Sequence, residues 1–180
     1  MHSDNTSTAI KKTAFWLNLL ILGTLALSLG EMMFTFASDI PVTLSINGEF
    51  WTRPISGFEA GDRVVLVTLI SLGKLLWIGV LYQFWTLCSL YKRNQIFTVA
   101  NARCFKHTGV ILVMIAVVEV ALVPAIGGYL MYRAIIPKMP DIKYALLFNL
   151  DTLVPGVFFW LIARIMECAA AMKDESELTI

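Results

Sequence analysis

Lys74 and Glu119 lie inside long apolar runs, where an ionisable side chain is strongly unfavourable unless it faces a helix-bundle interior, water or an opposite charge. With Glu31 and Asp151 they form the candidate intramembrane polar site. If the runs carrying Lys74 and Glu119 are antiparallel neighbours, both residues come near mid-depth and can form a buried pair. Such a pair either handles a proton or ion or simply fixes the register of two helices, and register is the plainer reading. Pro124 has no amide to donate to the Val120 carbonyl, so a kink or a bound water is expected one residue from Glu119. Asp151 precedes Pro155 by four residues. If Asp151 caps a helix, Pro155 falls harmlessly in the first turn; the other reading is a ligand site at the freed Asp151 carbonyl. Glu31 is expected either to meet Arg63 or Arg133 or to face water near the outer headgroups. Arg164 and Glu167 are spaced to pair along one helix face or to snorkel to the cytoplasmic interface.

No catalytic motif accompanies these residues, and an enzyme is not expected. His2 and His107 are the only histidines, so a haem-binding bundle built on four histidines cannot be assembled, and no zinc-ligand spacing occurs. Cys88, Cys104 and Cys168 form no CxxC and fall at the expected cytoplasmic face, where thiols stay reduced. No cofactor and no metal are expected. A net charge of +1 gives no basic field for direct nucleic-acid binding.

The elements that must position these groups are four apolar stretches, 15–37, 64–90, 109–131 and 146–171. Each exceeds the ~20 residues a helix needs to cross ~30 Å of hydrocarbon. A hydrophobic fraction of 58% and a mean hydropathy of +0.74 leave too little polar surface for a water-soluble globule of 180 residues. The fold class is therefore an all-α membrane protein, a four-helix transmembrane bundle embedded in membrane lipid. The first stretch is too long for a secretory signal core and is read as retained. Lys11, Lys12, Lys92, Arg93, Arg103, Lys106 and Lys173 outweigh Arg53, Arg63, Arg133, Lys138 and Lys143. The positive-inside rule then puts both termini, the loop 91–108 and the tail 172–180 in the cytoplasm, with loops 38–63 and 132–145 outside.

The first external loop carries a hairpin signal. Residues Val42 to Ile46 alternate before Asn47-Gly48, which suits a type I′ turn because both central residues take positive φ. Counting outward pairs Ile46 with Glu49 and Leu44 with Trp51, giving one mostly apolar face that can rest on the outer mouth of the bundle. An irregular loop anchored by Phe50 and Trp51 is the alternative.

Arg93, Asn94, Gln95, Ile96, Phe97 and Thr98, then Asn101 and Gly109, resemble the signature between the second and third spans of the domain-of-unknown-function family twenty-nine seventy-five. Asp151, Leu153 and Gly156, the stretch from Arg164 to Glu167, and the ending Glu175, Glu177, Leu178, Thr179 and Ile180 are similar to that family's last span and tail. The resemblance implies a four-span bacterial inner-membrane protein, often encoded beside a small helix-turn-helix regulator. By extension, it suggests tethering or restraint of that regulator.

Arg93, Gln95, Phe97, Asn101, Arg164 and Glu167 are the candidate cytoplasmic partner face, with Ile96, Phe105 and the apolar tip as anchors. The plainer reading of the same residues is an interfacial Phe97, an Asn101 bonded within its own helix and a solvated tail. Two function classes follow. One is a non-enzymatic membrane regulator or sensor that binds a small DNA-binding regulator protein; the other is a small homo-oligomeric transporter coupled to ions or protons through Glu31, or Lys74 with Glu119.

Overall fold

The long apolar stretches fold as helices, which satisfy their backbone amides within the segment, as a hydrocarbon surround would require. A computed structural model describes the backbone of residues 2–37, 39, 41–93, 95 and 98–178, and side chains within them except at 2–11, 14, 32, 35–37, 144–145, 148 and 173–178. The order is α1 (His2–Ala37), β1 (Pro41–Ile46), β2 (Glu49–Pro54), a 3₁₀ turn (Ile55–Gly57), α2 (Ala60–Lys92), α3 (Val99–Tyr132), α4 (Ile142–Phe148) and α5 (Leu150–Leu178). Among the described residues, three helical segments are long and apolar enough to cross a membrane: Ala60–Lys92, Val99–Tyr132 and Leu150–Met172. α1 holds a shorter apolar stretch, Phe15–Glu31. Leu27 and Met33 on α1, each about three-quarters exposed, suit an oily rather than aqueous surround.

α2 lies between α1 and α3, and α5 runs along α3. The α3–α5 contact is close because two glycines face it. A Cβ on Gly109 would come within 2.7 Å of the Gly156 carbonyl oxygen, and one on Gly156 within 3.1 Å of Leu112 and Val113. Small residues let helices approach backbone to backbone, where dispersion between them adds up along the crossing. Phe105 stacks on Phe159 at 5.9 Å, and Val80, Leu112 and Ile115 fill the space between α2 and α3 beside it.

The stretch 146–171 is not one helix. Leu146 belongs to α4, the helix is interrupted by a turn at Asn149, and α5 starts at Leu150 with the Asn149 carbonyl accepting from the Thr152 and Leu153 amides. Asp151 is therefore a first-turn residue rather than the cap, and Pro155 lies inside the helix. The break is set beside the middle of α3: Ala116, Val117 and Val120 line one groove with Leu146, Asn149 and Leu150.

The hairpin forms in the expected register, Ile46 opposite Glu49 and Leu44 opposite Trp51, with Asn47 at φ 54° and Gly48 at φ 82°. It is a docked element, not an irregular loop. Val42 and Leu44 are buried with Ile55, Phe58, Leu66 and Leu130 in a core at one end of α2 and α3. That burial supplies the stability an isolated two-stranded ribbon lacks. Asp141 pins the turn from the opposite side: its amide donates to the Ser45 carbonyl at 2.7 Å and its carboxylate accepts from the Gly48 amide at 3.0 Å.

Candidate functional site

Helical spacing places Ser28 with Glu31 on one face of α1, Lys74 with Trp77 on one face of α2, and Glu119 with Leu122 on one face of α3. The three faces meet around a cavity of about 440 Å³, floored by α2 and walled by α1 and α3. Ile70 and Gly73 complete the floor. Three ionisable side chains from three helices thus share one space.

The pairing inside it differs from the sequence expectation. Lys74 Nζ lies 3.4 Å from Glu31 Oε1, joining α2 to α1. The lysine is 26% exposed and the glutamate 68%, so the ion pair runs from the floor of the cavity to its rim. Glu31 does not reach the two arginines expected for it. α1 continues past Glu31 to Ala37, which holds Glu31 well inside the helix, while Arg63 is taken up by the Ser56 carbonyl and Arg133 by Glu59 and Asp62. Glu119 lines the same cavity as this pair, as does Trp77. Asp151 itself is exposed at the start of α5, where its carboxylate accepts from the Thr152 hydroxyl at 3.3 Å.

The candidates for a partner face divide. Thr98 caps α3 by accepting from the Asn101 amide, and the buried Asn101 carboxamide donates to the Gln95 carbonyl at 2.6 Å. Asn101 therefore closes the α2–α3 link from within instead of facing outward. Arg93 and Gln95 are exposed on that link. Arg164 is exposed on α5, pairs with Glu167 at 3.1 Å and covers the Trp160 ring at 5.7 Å. Phe97 and Ile96, Thr179 and Ile180, and the side chains of Glu175, Glu177 and Leu178 lie outside the described residues.

A second charged cluster, not expected from the sequence, lies at the end of the molecule that carries the hairpin. Asp62, buried in the first turn of α2, accepts from the Tyr129 hydroxyl at 2.6 Å and from Arg133 Nε at 2.9 Å, and Arg133 Nη2 also reaches Glu59 at 2.8 Å. The fork of a guanidinium around a carboxylate fixes geometry as well as charge, so the cluster clamps α2 to α3. Tyr129 and Arg133 are four residues apart, one helical turn, and that spacing was the available signal. Asp39 plays a similar part for the link before the hairpin. Its carboxylate accepts the Ser56 amide at 2.9 Å, and hydrogen bonding by Ser56 holds its pKa below the ordinary value of 3.8. Among the described residues, no group of three His, Cys, Asp or Glu is placed to hold a metal ion.

A family model described as "Protein of unknown function (DUF2975)" matches residues 56–180, which take in Asp62, Lys74, Asn101, Glu119 and Asp151 but not α1 or the hairpin. No curated protein and no solved structure matches the chain.

Proposed function

Because the chain belongs to the DUF2975 family, whose description assigns no activity, we propose from its geometry that it is a non-enzymatic sensor of the bacterial inner membrane. In this reading both ends of the chain face the cytoplasm, the Glu31–Lys74–Glu119 cavity is the input, and the cytoplasmic side passes the state of that cavity to a small helix-turn-helix regulator. One observation carries it: ionisable side chains from α1, α2 and α3 converge on one open cavity, and α2 and α3 are long and apolar enough to cross a membrane. Charges at such depth are retained only where they face one another, a cavity or water, and they mark sites that handle ions, protons or charged ligands. The exposed Arg93, Gln95 and Arg164 supply polar contacts for the partner on the other side.

The test is capture of partners from native membranes with the full chain. A small DNA-binding protein is expected to co-purify, to be lost on Phe97→Glu or on deletion of residues 173–180, and to change in yield with Glu119→Gln. A native-membrane preparation that yields no DNA-binding partner overturns the reading. Transport is the second reading, favoured by the cavity being open rather than sealed. Flux driven by a pH gradient in proteoliposomes, abolished by Glu119→Gln, would put transport in place of sensing.

A further inference from the structure

We infer that the Glu31–Lys74–Glu119 cavity binds a small organic cation, with Glu119 as its counter-charge and Trp77 as its aromatic face. This rests on the cavity being the input site and adds the class of ligand it takes.

Charge comes first. Two carboxylates and one ammonium line the cavity, and the ammonium is engaged by Glu31 at 3.4 Å. The second carboxylate on that lining is Glu119, and the Trp77 indole shares the lining with it. An entering cation meets attraction from this corner, whereas an anion meets two like charges and must first take Lys74 from Glu31. The walls come next. Beyond the two carboxylates only the Ser28 hydroxyl adds a side-chain oxygen, and Ile70, Gly73, Leu122 and the Trp77 ring add none, while a bare divalent ion demands six or more oxygen ligands or its own water. An organic ammonium carries its own apolar surface and needs only a carboxylate and a ring face. Tryptophan is the strongest cation–π partner, and Trp77 and Glu119 line the same cavity, so one cation can meet both. Size agrees: about 440 Å³ lies within the ~300–1,000 Å³ of small-molecule pockets.

The experiment is isothermal titration of the full chain in detergent micelles with benzyltrimethylammonium, against benzoate and benzyl alcohol as anionic and neutral probes of similar size, with empty micelles subtracted. Saturable binding of the cation alone is expected. Glu119→Gln should weaken it about tenfold or more, the factor that ~1.4 kcal/mol represents, and Trp77→Phe a few-fold. Lys74→Met should tighten it, because the cavity then loses its ammonium. Absence of saturable cation binding, preference for benzoate, loss of cation binding in Lys74→Met, or unchanged binding in Glu119→Gln each overturns the inference. Should Glu119→Gln fail to fold, Trp77→Phe and the three probes on the unaltered chain still decide it. The outcome is separable from the sensor reading, which fails on partner capture whether or not the purified chain binds the cation.

Discussion

Gly109→Ala adds one methyl group where α3 and α5 touch. Its Cβ would sit 2.7 Å from the Gly156 carbonyl oxygen and 2.8 Å from the Trp160 nitrogen, both backbone atoms that no side-chain rotation can move aside. To regain ordinary contact the helices must separate by roughly 0.7 Å, which thins the dispersion along the whole crossing, including the Phe105–Phe159 stack. Overpacking of this kind costs about 1–3 kcal/mol, and backbone collisions fall at the upper end. Replacing a mid-helix glycine by alanine returns up to ~1 kcal/mol of helix propensity, so a net loss of about 1–2 kcal/mol is expected. Gly23→Ala is the control, because nothing lies within 4 Å of its Cβ and only the propensity gain remains. Thermal unfolding in detergent, followed by maleimide labelling of the buried Cys104, reads both variants. Gly109→Ala should expose Cys104 at lower temperature and Gly23→Ala at the same or higher temperature. Equal behaviour of the two would refute the close α3–α5 crossing.

Leu44→Ala removes a 6%-exposed side chain from the core under the hairpin and should cost about 2–5 kcal/mol, seen as faster proteolysis of the 38–63 loop; exposed Thr43→Ala should change little. Asn101→Ala leaves the Gln95 carbonyl without its 2.6 Å donor and should cost about 1–3 kcal/mol, with trypsin cleaving after Arg93 more readily. The carboxyl of Asp39 is held below its ordinary pKa in the folded chain, so its contribution is complete above that value and disappears as pH falls through the lowered folded value. Hydrogen exchange at the Ser56 amide should therefore accelerate, beyond the intrinsic pH effect, only in that acid range, and Asp39→Asn should erase the step.

Depth along a helix is legible in a sequence, whereas rotation about its axis is much less so. Lys74 and Glu119 were placed together by depth, and they do share a cavity; which acid the lysine grips depended on how α1 sits against α2, and hydropathy carries no record of that. The hairpin was readable to the residue because Asn47-Gly48 dictates the turn and a two-residue turn dictates the register. The break at Asn149 was hidden because Leu146, Leu147 and Leu150 keep the hydropathy high across it, so one apolar run covers two helices. Asp62 and Arg133 lie at the ends of apolar runs, where charges are expected to meet water, and only the folded chain brings them together. Asn101 has two readings from sequence, a contact residue or one bonded locally, and its burial and its bond to the Gln95 carbonyl agree with the second.

Accessibility of the cavity in intact membranes is the most direct test. With the native cysteines replaced, single cysteines at Ile70 and Leu122, which line the cavity, should react with a small membrane-impermeant cationic thiol reagent, and one at Leu72, exposed on the same helix but outside the cavity, should not. Protection of Ile70 and Leu122 equal to that of Leu72 would mean that no polar cavity opens among these helices, and the account built on Glu31, Lys74 and Glu119 would be contradicted.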